Sequence, residues 1–186
     1  MRVSRPADPA PNAARLKRLM RLLTRSDIER LSGSNPRLVG LCLTSTKPYE
    51  VADLSSSTLL HELCSLGMAA ATEALCTEDP LRVLVPDALG RTPVHLAVLG
   101  GDRHCLRVAC HAASVALDTP RIPSILEFAV SHYMHEGTEW SERAVWEIAS
   151  GGYWSEECGL AVMAFCHVSG SWTLMYQFGD SLGEDM

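Results

Sequence analysis

The segment from Asp87 to Ala109 constrains the fold most, because it contains signals for the start and end of one short helix and for the start of a second. Thr92 can accept hydrogen bonds from the free N–H groups of a first helical turn, and Pro93 fits the first helical position without the loss of a hydrogen bond. The pair Gly100-Gly101 supplies a residue able to adopt positive φ, where this helix ends. A second helix then begins near Asp102, so the segment predicts a tight helical hairpin.

The same pattern occurs once more, upstream in the chain. The two copies share a Thr, a His and a Gly at identical spacing, at Thr58, His61 and Gly67 upstream and at Thr92, His95 and Gly101 downstream. Good helix formers follow Gly67, over Met68 to Leu75. Because a single helical hairpin cannot bury its apolar face alone, the recurrence predicts a stack of hairpins.

The downstream copy resembles the ankyrin repeat family. Residues 92–97 are Thr-Pro-Val-His-Leu-Ala, against the family signature T-P-L-H-x-A, and only Val94 departs from it. The interval from Thr58 to Thr92 is longer by a single residue than the family's usual period. The resemblance covers about residues 50–118. In that family the histidine hydrogen-bonds the turn backbone of neighbouring repeats, which implies a structural role for His61 and His95.

The resemblance also implies a function in binding. Ankyrin stacks present their turn tips and inner helix surface to a partner, and the fold sets no chemistry of its own. The positions that the family varies for recognition correspond here to Ser65, Leu66, Leu89, Arg91 and Leu99. Leu89 and Leu99 are apolar where exposure is expected, which is typical of a partner surface, although they could instead pack on the neighbouring repeat. We therefore expect a monomeric, non-enzymatic adaptor that binds another protein, in the cytoplasm or alternatively the nucleus.

A second informative feature is an asymmetry of charge. Residues 1–50 carry ten Lys or Arg against four Asp or Glu, whereas residues 51–186 carry six against eighteen. Within residues 13–25, apolar side chains at helical spacing occupy one side and basic side chains cover most of the rest, among them Arg15, Arg18 and Arg21. This pattern predicts a basic amphipathic helix that caps the stack. The alternatives are a membrane-surface or partner-helix segment, a nucleic-acid contact through these arginines, and a mitochondrial-type presequence.

The chain as a whole predicts one helical domain over residues 13–186, after a disordered tail over residues 1–12. Three parts make up the domain: an N-terminal basic helix and cap, ankyrin-like repeats, and a C-terminal helical cap, over residues 13–43, 50–135 and 139–178. Residues 124–130 fit a degenerate third repeat, although they have neither the Thr-Pro pair nor the His.

In the C-terminal cap, Trp140-Ser141-Glu142 and Trp154-Ser155-Glu156 each precede an apolar run, with Ser as the predicted N-cap of a helix. The two helices would form a hairpin. Residues 171–178 alternate apolar and smaller or polar side chains, so a β-hairpin of residues 160–168 with 171–178 is an alternative. The predicted fold class is all-α: a short ankyrin-like solenoid of helical hairpins with non-ankyrin helical caps at both ends.

Composition and motifs argue against other classes. No run of eighteen apolar residues exists and the N-terminus lacks an apolar core, so we expect neither a membrane span nor secretion. Seven cysteines without C-x-x-C spacing indicate reduced, buried thiols. No catalytic motif is present, and adjacent Cys166 and His167 would point apart on a helix. We expect no cofactor and no metal site, because no four ligands converge in the densest His/Cys cluster, His104, Cys105, Cys110 and His111.

Overall fold

The structure, a computed structural model, describes residues 21, 23–45, 50–154 and 158–172. These residues are mostly helical and include no β-strand, which confirms the all-α prediction. Nine α-helices are described: α1 Arg25–Ser34, α2 Pro36–Thr44, α3 Leu59–Ser65, α4 Ala69–Glu78, α5 Pro93–Leu99, α6 Arg103–Leu117, α7 Ile125–Glu136, α8 Glu139–Ser150 and α9 Gly159–Ser169. A 3-10 helix, Pro80–Leu84, connects α4 to the following turn.

The helices are arranged in two layers. In one layer α3 contacts α5, α5 contacts α7 and α7 contacts α9, and in the other α4 contacts α6 and α6 contacts α8. The helices α3, α5 and α7 each also contact the next helix along the chain, so that α3–α4, α5–α6 and α7–α8 form three successive hairpins. One hydrophobic core runs through the described residues from Leu31 in α1 to Cys166 in α9.

Glycines set the ends of the first two hairpin turns. Gly67 and Gly101 have φ of 66° and 76°, which confirms the predicted helix boundary and explains the glycine at both places. Gly100 has an ordinary helical φ of −72°, but a Cβ atom there would overlap the carbonyl oxygen of Cys64. The two turns therefore approach each other backbone to backbone.

The N-terminal cap consists of α1 and α2, and its core side chains include Leu31 and Leu38. Asn35 lies between the two helices. Its side-chain oxygen accepts from the Leu38 N–H at 3.0 Å, which caps α2, and its amide nitrogen donates to Asp53 and Glu62 at 2.6 and 3.2 Å. The Asn35 side chain thus connects the cap to the turn before α3, which contains Asp53, and to α3 itself, which contains Glu62.

The C-terminal region agrees with the preferred prediction of a helix before residue 170 and differs from the prediction in where α8 begins. Residues 159–169 form helix α9, so the alternative β-hairpin is wrong for its first strand; residues 173–178 lie outside the described residues. In addition, α8 begins at Glu139 rather than after Ser141. Thr138 is its N-cap and exchanges hydrogen bonds with Ser141, since the Thr138 N–H donates to Ser141 Oγ at 3.0 Å and the Ser141 N–H to Thr138 Oγ1 at 3.1 Å.

The pairing of these helices also differs. The hairpin partner of α8 is α7, which is the region predicted as a degenerate third repeat, and α9 packs on α7. The side chain of Phe165 in α9 lies between Tyr133 of α7 and Trp146 of α8, with ring centroids 5.1 and 6.2 Å away. The indole N–H of Trp140 in α8 donates to the carbonyl of Val98 in α5 at 2.7 Å. This hydrogen bond connects the third hairpin directly to the second.

All seven cysteines are buried and none forms a disulfide, as the sequence predicts. Among the described residues, no helix has the length and apolar character needed to cross a membrane.

Candidate partner-binding surface

The turn before α5 is organised by one carboxylate. Asp87 Oδ1 accepts from the N–H groups of Leu89 and Arg91 at 2.9 Å each, and Gly90 between them has φ of 76°. The other oxygen, Oδ2, accepts from Arg91 Nε and Nη2 at 2.9 and 2.8 Å. Asp87 is buried, and its charge is neutralised by the guanidinium group of Arg91.

The turn before α3 repeats this geometry in the upstream copy. Asp53 Oδ1 accepts from the N–H groups of Ser55 and Ser57 at 2.8 and 3.0 Å, and Ser56 has a positive φ of 59° where the later turn has Gly90. Burial alone would raise the pKa of Asp53, but hydrogen bonds from Ser55, Asn35 and Ser57 outweigh it and lower the pKa to about 2. The equivalence of the two copies therefore includes the turns as well as the helices.

The two turns are joined through their backbones and through a histidine. The Ala88 N–H donates to the Ser55 carbonyl at 2.8 Å. At the start of α3, the N–H of the N-cap residue Thr58 donates to His61 Nδ1 at 3.1 Å, so that the proton is on Nε2, which donates to the Arg91 carbonyl at 3.2 Å. This is the hydrogen bond that the resemblance implies for His61. Burial lowers the pKa of this imidazole and keeps it neutral.

His95 keeps only half of this arrangement. Its Nδ1 accepts from the Thr92 N–H at 3.2 Å, as in the upstream copy. Its ring, however, meets the edge of Phe128 in α7, with centroids 4.9 Å apart, and within the described chain it makes no hydrogen bond to a following turn. The expected role of His95 is therefore wrong in part, because the segment before α7 lacks the Asp-centred turn of the earlier copies.

Two leucines at the tips of the joined turns are exposed to solvent. Leu54 is 92% exposed and Leu89 is 76% exposed, and the bond from Ala88 to Ser55 holds their turns side by side. We call Leu54, Ala88 and Leu89 the turn-tip patch. Leu89 is one of the predicted partner-binding residues. Leu54 was missed because residues 44–57 have the composition of a polar connector. The sequence does indicate a turn there, because Asp53 precedes Thr58 at the same spacing as Asp87 precedes Thr92.

The other predicted partner-binding residues lie elsewhere. Arg91 is occupied by Asp87 at the base of its turn. Ser65, Leu66 and Leu99 lie at the opposite ends of α3 and α5 from the turns. Ser65 and Leu66 are half-buried, and the carbonyl of Leu66 accepts from Arg30 Nη2 at 2.8 Å, whereas Leu99 is 38% exposed. The structure therefore does not bring the five residues together on one surface.

The alternative contact through the basic N-terminal helix was predicted to use Arg15, Arg18 and Arg21, of which the structure describes one. Arg15 and Arg18 lie outside the described residues, and Arg21 is exposed. Nearby, Arg25 Nε lies 3.0 Å from Glu29 Oε1 on the outer side of α1.

The densest His/Cys group of the sequence is divided between the core and the surface. Cys105 and Cys110 are buried in α6, whereas His104 and His111 are exposed, and no group of three metal-ligating side chains occurs among the described residues. A groove of about 380 Å³ between α4 and α6 is lined by Cys76 and His111 among others. Burial raises the pKa of Cys76 to about 12, so this thiol is protonated and a poor nucleophile.

The chain matches no protein-family model, no curated protein and no solved structure. The resemblance to ankyrin repeats therefore rests on the residues, turns and contacts described above.

Proposed function

We propose that this chain is a non-enzymatic adaptor of ankyrin-like architecture that binds another protein through the turn-tip patch. The observation that carries the proposal is the pair of strongly exposed leucines, Leu54 and Leu89, on turns that are themselves rigidly held by Asp53 and Asp87. Exposed apolar side chains on a fixed backbone are characteristic of binding surfaces, because little conformational entropy is lost on binding. The proposal includes a monomeric state and a cytoplasmic location.

Two features support an ankyrin-like arrangement. The first is the constant interval that relates the Asp-centred turns, the Thr-His pairs and the turn glycines of the two copies. The second is the contact of α3 with α5 and of α4 with α6, since stacked repeats bury their faces against their neighbours. In such arrays the turns project from one edge and are available to a partner.

The proposal is tested by proximity labelling in cells with the wild-type chain, with Leu54→Asp/Leu89→Asp, and with Leu160→Asp. Leu160 is 77% exposed on α9, away from the turns, and serves as the matched control. We expect a set of labelled proteins that the double variant loses and the control retains, with circular dichroism unchanged in both. If the double variant keeps every labelled protein, the turn-tip patch is not the binding surface.

Purified protein also tests the alternative function. Arg15, Arg18 and Arg21 are changed together to Glu, and binding to DNA and to acidic vesicles is measured at low and moderate salt. Tight, salt-dependent binding by the wild type that this triple variant loses would favour a nucleic-acid or membrane binder instead.

A further inference from the structure

The two equivalent turns differ in how the charge of their aspartate is balanced. Asp87 is paired with the Arg91 guanidinium group. From the described residues, Asp53 receives hydrogen bonds only from neutral groups, namely the N–H and Oγ of Ser55, the N–H of Ser57 and the side-chain amide of Asn35. Ser57 occupies in the first turn the place that Arg91 has in the second, and it brings no charge.

A second carboxylate lies beside Asp53. The Asn35 amide nitrogen donates to Asp53 Oδ2 at 2.6 Å and to Glu62 Oε1 at 3.2 Å, so both carboxylates are held on one amide group. The other oxygen of Glu62 accepts from Ser34 Oγ at 2.8 Å. Among the described residues, no Lys or Arg lies within ion-pair distance of either carboxylate. Two negative charges are thus collected next to the turn that carries Leu54.

Residues 51–186, to which both carboxylates belong, have an excess of charge of the same sign. Residues 51–186 carry eighteen Asp or Glu against six Lys or Arg. Such an excess attracts positively charged partners over distances of about a Debye length, ~10 Å at moderate salt, and repels polyanions. Electrostatic complementarity of this kind raises association rates and excludes partners of the wrong sign.

We infer that the partner of the turn-tip patch is a basic, amphipathic protein segment. Its apolar side chains cover Leu54 and Leu89, and one of its Lys or Arg side chains lies beside the Asn35 amide group and brings to Asp53 and Glu62 the positive charge that Arg91 brings to Asp87. This inference rests on the proposed function, because it concerns the same surface. Nucleic acid has the wrong sign of charge for this surface.

The test uses a short synthetic peptide of repeated Leu-Ser-Arg and its charge-reversed counterpart, Leu-Ser-Glu. Fluorescence anisotropy measures the binding of each peptide to the full chain at low and moderate salt. We expect the basic peptide to bind with an affinity that falls as salt rises, and the acidic peptide not to bind. Equal binding of the two peptides would overturn the inference.

Two variants locate the interaction. Ser57→Arg brings a guanidinium group to the first turn, as in the second, and we expect it to weaken basic-peptide binding by about tenfold or more; circular dichroism of this variant checks that the buried position of Ser57 accepts the longer side chain. Glu62→Gln should weaken binding to a smaller extent, since it removes one charge and leaves a side chain that can still accept hydrogen bonds. Glu136→Gln, an exposed carboxylate in α7, is the matched control and should leave binding unchanged. Wild-type affinity in Ser57→Arg would show that Asp53 does not hold the partner's cation.

The outcomes separate this inference from the proposed function. If proximity labelling finds partners that depend on Leu54 and Leu89 but that Ser57→Arg retains, the inferred partner chemistry is wrong and the proposed function stands. If no partner depends on the two leucines, the proposed function fails. A carbodiimide cross-link from Asp53 or Glu62 to Lys17 of the same molecule would show that the chain's own basic segment lies beside these two carboxylates. That result would also overturn the inference that a separate protein supplies the positive charge.

Discussion

Gly100 and Gly101 are adjacent, but each must be glycine for a different physical reason. A Cβ atom on Gly100 would overlap the carbonyl oxygen of Cys64, although its backbone conformation suits any residue. At Gly101 a Cβ atom would meet no other atom, but the backbone has a φ of 76°, a conformation that other residues avoid. The first is a packing requirement between two turns, and the second is a conformational requirement within one turn.

The two glycines therefore predict unequal effects of the same substitution. Gly101→Ala should reduce the free energy of unfolding by about 1–2 kcal/mol, the cost of a left-handed alanine. Gly100→Ala should cost more, roughly 2–4 kcal/mol, because backbone atoms must separate. Urea denaturation of both variants gives the comparison. A Gly100→Ala variant as stable as Gly101→Ala would show that the turns are not in close contact.

The buried histidines predict a dependence of stability on pH. Burial lowers the pKa of His61 and of His95, and the negative charge of Asp87 offsets this only in part. Below the unfolded value of about 6.5, the unfolded chain takes up protons that the folded chain does not. Stability should therefore be full above pH 6.5 and fall as the pH drops towards the folded pKa values.

Thermal melts at pH 7.5 and pH 5.5 measure this loss. The variant His61→Gln/His95→Gln should lose less melting temperature between the two pH values than the wild type, because the carboxylates that remain titrate mainly at lower pH. An equal loss in both proteins would assign the pH dependence to other groups.

At the scale of elements, the packing of α9 on α7 depends on Phe165. This side chain is fully buried against Tyr133 and Trp146. Phe165→Ala should destabilise the protein by about 3–5 kcal/mol, as expected for a large cavity in a core. Leu160→Ala, on the exposed side of the same helix, should change stability by less than about 0.5 kcal/mol. Chemical denaturation of both variants tests the placement of α9, and a small effect of Phe165→Ala would contradict it.

The elements also show which parts of the fold the sequence could predict. The boundaries of α3 to α6 were predictable, because Thr92, Pro93 and Gly101 act on their own local backbone. The pairing of α7 with α8 was not, because it depends on which apolar faces meet, and the sequence between the helices contains no ankyrin-type signal. The prediction that Ser141 is the N-cap of α8 was wrong. Thr138 is an equally good N-cap residue, and the helix that follows it includes Ser141.

The candidate surface was predictable to a similar extent. The exposure of Leu89 followed from its place at a turn tip, and that of Leu54 required the Asp-centred turn to be recognised without a glycine at Ser56. Ser57 at the place of Arg91 indicates that Asp53 has no cation in its own turn, but the approach of Asp53 to Glu62 could not be predicted. It depends on the position of Asn35, which reaches the first turn from a separate helical cap.

For the molecule as a whole, the two-layer arrangement predicts a gradient of stability along the chain. Within the part of the chain that the structure describes, α5 and α6 contact neighbours on both sides, whereas α9 and the cap formed by α1 and α2 contact them on one side. Native-state hydrogen exchange should therefore be slowest in α5 and α6 and faster towards both ends.

Two leucine variants distinguish this gradient from a single cooperative unit. Leu106→Ala, in the middle of the stack, should lower the stability of every helix by about 2–5 kcal/mol. Leu38→Ala, in α2, should accelerate exchange mainly in the N-terminal cap. Uniform acceleration throughout the chain in Leu38→Ala would instead indicate that the ends and centre unfold together.

The hydrogen bond from the Trp140 indole to the Val98 carbonyl joins two successive hairpins through residues that are 42 positions apart in the sequence. An indole in this position emits light at a wavelength that depends on whether its N–H is bonded to protein or to water. The emission of Trp140, obtained as the difference between the wild type and Trp140→Phe, therefore reports whether the third hairpin is packed on the second. If that emission shifts at a lower denaturant concentration than the helical signal in circular dichroism, the third hairpin separates from the second while its own helices persist.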